Sequence, residues 1–367
     1  MKGRFFLPFL FYHFPYFCSK PILMRNLILL LIAIATISCS KNYHPRENIE
    51  VSIEKFNMDS TSIRAIEIVN DSSLVYVGSK GDIGIITASG KLKATKNIKT
   101  DTIVPHFRAL AFTKKAMFAL NVENPALLYK YEDGNIDIVY KEEHEKVFYD
   151  SMKFFDELNG IAMGDPTDSC LSILITRDGG NSWGKIPCEH LPKIEEGEAA
   201  FAASNTNISI VGENAWIVTG GKKARVFHTD DMGLTWNVYN TPIVQGENAT
   251  GIYTTHFYSE KQGIICGGSY LDKFGNSANK AITFNGGKTW QVVAENEAPK
   301  YVSCVQYIPE TDGKELIAVS TNGVFYSNNQ GRNWTKVSDE GFYSIRLFDK
   351  NSAWLSGHEV IAKMDIQ

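Results

Sequence analysis

The clearest indication of the fold is the stretch Thr176-Arg177-Asp178-Gly179-Gly180-Asn181-Ser182-Trp183, because its pattern returns three times further along the chain. The later copies span residues 229–236, 283–290 and 327–334, and successive Trp residues of the four copies are 53, 54 and 44 positions apart. Self-similarity at such a period is typical of an architecture in which each copy is one repeated supersecondary unit.

Each copy predicts a β-hairpin whose turn is held by the same chemistry. The third residue is Asp in the first two copies and Asn in the other two, and either side chain can accept hydrogen bonds from N–H groups of the turn. Glycine at the fifth position permits a positive φ, and the Trp packs back against the sheet. We assign a structural role to these residues: Asp178, Trp183, Asp231, Trp236, Asn285, Trp290, Asn329 and Trp334.

Short aliphatic segments recur between these copies and complete the repeat. The strands that we expect to be innermost begin at intervals of about 41 to 52 residues, near Ile63, Phe107, Ser151, Ala200, Ile252, Val302 and Tyr343. Seven starts with four strands each predict an all-β fold, a seven-bladed β-propeller. The alternative is a six-bladed ring, in which the weakly patterned first blade has been miscounted.

The two ends of the repeat region predict how the ring closes. Three strands near 342–348, 353–357 and 359–365 form the last blade, which lacks a fourth strand. Residues 50–56 alternate in polarity like a strand and belong to no blade of their own. We expect this N-terminal strand to complete the last blade, because a closed ring leaves no exposed sheet edge. The propeller domain is therefore predicted to span 50–367.

Residues 1–38 carry an export signal. They hold four basic residues and no acidic one, and the apolar run 27–35 is short for a membrane span but typical of a signal-peptide core. Met24 is the better start of such a signal. A small residue before Cys39 resembles a bacterial lipobox, which predicts a lipidated Cys39 followed by a tether over 39–49. A plain signal peptide and an N-terminal transmembrane anchor are the alternatives.

The composition excludes several functions. Without residues 1–38 the chain has 33 basic and 41 acidic residues, a net charge of −8, so nucleic acid is not expected as a partner. No dinucleotide, P-loop, zinc-protease or serine-hydrolase motif occurs, and the eight His are scattered, so we predict no cofactor and no metal. Cys170 and Cys188 flank one predicted hairpin, and both a disulfide and free thiols remain open.

One repeated position points to a binding site. When the innermost strands are aligned, Arg64, Arg108 and two further basic residues take the same place, and His256 takes it in another blade. We expect these side chains to form a basic sector of the channel, near three carboxylates and an aromatic ring, that holds an anionic or carbonyl-rich group. The alternative is an ordinary channel lining. The candidate residues are Arg64, Arg108, Tyr149, Asp150, Lys153, Asp165, Glu198, His256 and Arg346.

The segments 106–110, 148–152, 160–166, 197–204 and 267–270 carry a family resemblance. Together with the Trp-containing copies, which match the Asp-box or BNR pattern, they resemble bacterial BNR-like propellers related to the photosystem II stability/assembly factor. Bacteroidetes members of that group are often loosely labelled oxidoreductase or glycosyl hydrolase. The resemblance covers nearly the whole predicted mature chain, and it implies a lipid-anchored or periplasmic propeller without a demonstrated reaction.

These observations favour a binding protein over an enzyme. We expect a monomeric membrane lipoprotein of the bacterial envelope, on its periplasmic or surface face, that serves as an assembly factor or scaffold for a protein or glycan. The alternative is a sialidase-like glycoside hydrolase that uses carboxylates at the channel mouth. Sialidases place an Arg-Ile-Pro tripeptide near the start of the propeller, and this chain has none.

Overall fold

The structure is a computed structural model that describes residues 43–70, 73–99 and 102–367. The predictions for the signal region, for Met24 as the start and for Cys39 lie outside these residues. The described part is all-β, as predicted, with one short 3-10 helix at Cys188–His190. None of its helices is long and apolar enough to cross a bilayer.

The strands form successive four-stranded antiparallel groups, each with the strand order of a propeller blade. The first three groups consist of Val51–Asn70 (second half), Ser73–Gly78, Asp82–Thr87 and Leu92–Asn97; Phe107–Phe112, Met117–Asn121, Ala126–Glu132 and Asn135–Glu142; Tyr149–Phe154, Gly160–Gly164, Ser172–Thr176 and Gly184–Lys185.

The next three groups follow the same order. They consist of Ile208–Val211, Asn214–Val218, Arg225–Thr229 and Asn237–Asn240; Thr250–Phe257, Gly263–Ser269, Lys280–Thr283 and Gln291–Val292; Cys304–Tyr307, Leu316–Ser320, Gly323–Ser327 and Thr335–Ser338. The short strands Glu198–Ala199 and Gly220–Gly221 pair with each other and extend the sheet of the fifth group.

The last group contains Ser344–Leu347, Ser352–Ser356 and His358–Ile366, and the first half of Val51–Asn70 is its outer strand. This strand pairs with the chain end from Val51 to Asn57 and turns into the first group after an irregularity that ends at Ser62. The predicted closure by an N-terminal strand is thereby confirmed. We number the groups as blades one to seven, the count that this division favours over six.

We expected residues 39–49 to form a tether. The described end of this segment instead packs against the propeller. The Arg46 guanidinium forms an ion pair with buried Glu315 at 2.6 Å, and Ile49 packs into the core between the last two blades. Residues 45–49 therefore belong to the propeller, because a buried carboxylate gains its counter-charge from this segment.

The four Trp-containing copies adopt one turn. In the first, the Thr176 hydroxyl accepts the Gly180 N–H at 2.9 Å, while the Asp178 carboxylate accepts both the N–H and the hydroxyl of Ser182. The fifth residue of every copy has a positive φ, between 79° and 92°, as the sequence predicts: Gly180, Gly233, Gly287 and Gly331.

The Trp residues of these turns join each blade to the one before it. Trp183 of blade three lies edge-on to Phe118 of blade two, with ring centroids 6.2 Å apart. Blade two has no such Trp, and a cavity of about 390 Å³ remains between blades one and two, lined by apolar residues such as Val75 and Met117. The motif thus fills the space between blades and does more than fasten its own strands.

The structure also decides the open question about the cysteines. Cys170 and Cys188 form a disulfide that closes the hairpin of blade three, whereas Cys266 and Cys304 are buried free thiols.

Candidate functional site: two pockets in the channel

The central channel is crossed by the segment that precedes blade four. We expected an innermost strand near Ala200, but this strand begins only at Ile208. Before it, the Asn205 amide donates to the carbonyl of Leu110 at 2.7 Å and accepts the N–H of Met152 at 3.0 Å. The segment therefore makes its hydrogen bonds across the channel instead of along a blade.

This crossing segment separates two pockets. Residues 199–203 line the first, a cavity of about 560 Å³, and Thr206 and Ile208 line the second, a cavity of about 340 Å³. We call the first the arginine pocket; its charged and aromatic lining consists of Arg64, Arg108, Phe148, Asp165, Phe201, Tyr253, Tyr270, Lys273, Tyr301 and Tyr343. We call the second the lysine pocket, after Lys153.

Two guanidinium groups of the arginine pocket keep most of their donors free. Arg64 donates to the carbonyl of Ala203 at 3.0 Å and lies over the ring of Tyr343, and Arg108 donates to the His106 ring at 3.2 Å. Burial, Arg108 and Arg64 lower the pKa of His106 to about 4, so the ring is neutral and can accept. Among the described residues neither guanidinium has a carboxylate within ion-pair distance.

Two carboxyl groups lie near these arginines, and the pKa of each is raised. Asp150 is fully buried, and neither of its oxygens has a hydrogen-bond partner in the described structure. Burial and neighbouring Asp165 raise its pKa well above the usual range, although Arg108 opposes this. Burial also raises the pKa of Asp165 to about 6, while its Oδ1 accepts the Ala200 N–H. Of the described residues that line the pocket, Asp165 alone is acidic.

Aromatic rings form one wall of the arginine pocket. Phe201 stacks on Tyr253 at 4.1 Å, and Tyr301 meets Tyr253 edge-on. Beside them, the loop after Gly263–Ser269 exposes Leu271 and Phe274, which are 79% and 72% accessible. Sequence reasoning missed this exposed loop, which no periodic pattern marks.

The other predicted aromatic, Tyr149, does not belong to the pocket. Its ring is fully buried, and its hydroxyl donates to Glu142 at 2.7 Å. Glu198 is likewise withdrawn, because Arg225 binds both of its oxygens and the Thr219 hydroxyl donates to it at 2.6 Å. Neither of these two predicted residues lines the arginine pocket, and each is part of a buried hydrogen-bond network.

The predicted basic sector is two sets of residues instead of one. Arg64 and Arg108 sit at irregularities of their strands, one residue after Ile63 and Phe107. In contrast, Lys153 and Arg346 lie in regular register, opposite Ile161 and Trp354. The position equivalent to theirs in blade one is that of Glu67, three residues beyond Arg64.

The second set is built around one carboxylate. Glu67 accepts from the Arg346 guanidinium at 3.0 and 3.1 Å, and the Lys153 ammonium lies 3.8 Å from the same oxygen. Burial opposes ionisation of Glu67, but Arg346 and Lys153 outweigh it and lower its pKa. His256 and Gln306 line the same pocket. The sequence alignment grouped Lys153, His256 and Arg346 with Arg64 and Arg108, because it matched residue types and contained no information on strand irregularities.

Solved propeller structures share the fold. YCF48 bound to a D1 peptide superposes with a TM-score of 0.60 at 11% identity, over 88% of this chain and 98% of that chain. The WD40 repeats of RRP9 give 0.61 at 12% identity over 87% and 100%, and U3-55K gives 0.59 at 13% over 88% and 100%. At these identities the similarity shows the fold alone. No family model matches the chain, and no curated protein sequence matches it significantly.

Proposed function

We propose that the chain is a non-catalytic binding protein, an assembly factor or scaffold that captures a segment of a partner in the arginine pocket. The observation that carries this proposal is the pair of guanidinium groups, Arg64 and Arg108, which face a cavity without a carboxylate partner among the described residues. A guanidinium binds carboxylates with two parallel hydrogen bonds, so the captured segment is acidic or rich in carbonyl groups.

The aromatic wall supports a protein or glycan as the partner. Tyr and Arg are enriched among the residues that dominate binding energy at interfaces, and exposed apolar side chains at a pocket rim mark interaction sites. Leu271 and Phe274 provide such a rim beside Tyr270. YCF48, which has the same fold, is known in a complex with a peptide, and this favours a peptide segment over a glycan.

A glycoside hydrolase remains the second candidate because of Asp165. An acid with a pKa of about 6 is suited to proton transfer near neutral pH. Glycosidases, however, need two carboxyl groups on either side of the scissile bond. Asp150 is sealed and Glu198 is held by Arg225, which leaves one carboxyl group in the described lining of the pocket.

We further propose that the protein is an exported, lipid-anchored envelope protein with a seven-bladed, BNR-like propeller that acts as a monomer. The signal-like segment and Cys39 motivate this proposal. The disulfide between Cys170 and Cys188 supports export, because disulfides persist mainly in oxidising compartments.

The binding proposal is tested by capture from the membrane fraction. Wild type is expected to retain a defined partner, and the double variant R64Q/R108Q is expected to lose it. R332Q, which removes an exposed arginine on the fourth Trp-containing turn, is the matched control and should bind like wild type. Equal capture by the double variant and R332Q would refute the role of the arginine pocket.

Assays against a panel of aryl glycosides test the alternative. We expect no hydrolysis by wild type. Turnover that D165N abolishes would replace the binding role with a catalytic one, since this substitution removes the ionisable group and keeps the side-chain shape.

A further inference from the structure

The lysine pocket is a second binding site, separate from the arginine pocket, and we propose that it holds a small oxyanion such as inorganic phosphate. The proposal does not depend on the function proposed for the arginine pocket. The proposal is based on the polar side chains that line this cavity of about 340 Å³. The side-chain groups that have no hydrogen-bond partner among the described residues are donors.

Lys153 supplies the charge. Its ammonium lies 3.8 Å from Glu67, beyond hydrogen-bond distance, and has no hydrogen bond to another described residue. Glu67 itself is engaged by the Arg346 guanidinium, which also donates to the carbonyl of Ile345 and the hydroxyl of Ser344. Arg346 and Lys153 therefore share one carboxylate, and only the closer one, Arg346, is hydrogen-bonded to it. The unmatched positive charge remains on Lys153, whose side chain is 25% exposed in the pocket.

His256 supplies a neutral donor. Its Nδ1 accepts the N–H of Tyr307 at 3.0 Å, so this nitrogen carries no proton. Burial, Lys153 and Arg346 lower the pKa of the ring to about 3, which keeps it neutral at physiological pH. A neutral imidazole has one proton, so it must be on Nε2, which is then a donor.

Gln306 supplies a third donor group. Its carbonyl oxygen accepts the N–H of Leu347 at 3.0 Å, which fixes the orientation of the amide. The two N–H groups of the amide have no partner among the described residues. The Thr206 and Thr255 hydroxyls, in contrast, already donate to Thr254 and to the carbonyl of Ile264.

These three donors line one cavity although they come from three blades. Lys153, His256 and Gln306 occupy equivalent positions on innermost strands, which bring their side chains to one end of the channel. A cavity with one surplus positive charge and donors that lack acceptors is complementary to an oxyanion, whose oxygens only accept. The crossing segment keeps this end apart from Arg64 and Arg108.

The test is calorimetric titration with sodium phosphate at pH 7, against sodium chloride of the same ionic strength. Wild type is expected to bind phosphate. K153Q and Q306E are each expected to weaken binding about tenfold or more, because one loses a charge-assisted hydrogen bond and the other adds a repelling carboxylate. Q306E keeps the acceptor for the Leu347 N–H, which makes it the safer variant for folding.

R332Q, which changes an exposed arginine outside both pockets, is the matched control, and it should bind phosphate like wild type. Parallel titrations with sulfate and acetate separate tetrahedral anions from carboxylates, and binding of any of the three that K153Q weakens supports the site. No binding of any anion by wild type, wild-type affinity in K153Q or in Q306E, or a loss in R332Q would overturn the proposal.

Discussion

The arginine pocket and the lysine pocket lie on either side of the crossing segment, yet their charged groups are arranged in opposite ways. In the arginine pocket, Arg64 and Arg108 lack ion pairs among the described residues, while burial raises the pKa of nearby Asp150 and raises that of Asp165 to about 6. Beside the lysine pocket, Arg346 and Lys153 lower the pKa of Glu67, and Arg346 forms an ion pair with it at 3.0 Å. On one strand, Arg64 has no carboxylate partner among the described residues, whereas Glu67, three residues further on, pairs with Arg346.

The cause of this difference is local backbone geometry. A strand irregularity inserts an unpaired residue and redirects its side chain. Arg64 and Arg108 occupy such positions, whereas Arg346 lies in regular register beside its carboxylate. The proposed function therefore gives arginine a recognition role at one level of the channel, whereas Arg346 forms a buried ion pair at the next.

The largest effect is expected from E67Q, which removes the carboxylate that lies beside Lys153 of the lysine pocket. Arg346 is 5% exposed and would be left as an unpaired buried charge beside Lys153, so unfolding free energy should fall by about 4 kcal/mol. Urea denaturation measures the loss. E340Q is the control, because its pair with Lys55 is solvent-exposed and worth less than about 1 kcal/mol. Similar midpoints for both variants would contradict the contrast between the pockets.

The next effect concerns the crossing segment that keeps the pockets apart. N205A leaves the Met152 N–H and the Leu110 carbonyl without partners and puts Ala at a φ of 58°, which should cost about 3 kcal/mol. N207A is a matched control in the same segment, because the buried Asn207 amide makes no hydrogen bond in the described structure. Chemical denaturation of both variants checks this order, and a larger loss for N207A would refute it.

A smaller, pH-dependent effect is expected from D165N. The folded pKa of Asp165, about 6, is raised above its unfolded value by burial, so between about pH 4 and 6 the folded state holds a proton that the unfolded state has lost. Wild-type stability therefore falls as pH rises through this window, by about 1.4 kcal/mol for each pH unit between the two pKa values. D165N lacks this loss and should be the more stable protein at pH 7 but not at pH 4. Thermal unfolding across this range measures the difference, and parallel curves would contradict it.

Sequence reasoning could predict the fold because turn chemistry is local. The Trp-containing turns need one hydroxyl, one carboxylate or amide and one glycine at fixed offsets, and these residues are readable without a structure. The closing strand was also predictable, since Val51–Asn57 alternates in polarity and the last blade lacked a strand.

The site could be predicted only in part. Arg64, Arg108 and Asp165 do line one pocket, but the alignment added Lys153 and Arg346 to it, because strand irregularities leave no mark in residue types. The crossing segment escaped notice for a related reason. The Ser204 carbonyl and the Asn205 side chain make hydrogen bonds to distant blades, and such long-range hydrogen bonds have no local signature.

The closing strand has a consequence for the order of folding. Val51 pairs with Ile366, so the contact that shuts the ring joins positions 315 residues apart. Contacts between distant positions are slow to form, because a long loop must close before any pairing energy is gained. During synthesis the first half of Val51–Asn70 has no partner until the final strand emerges. We therefore expect the separate blades to form first and the ring to close last, once His358–Ile366 has been synthesised.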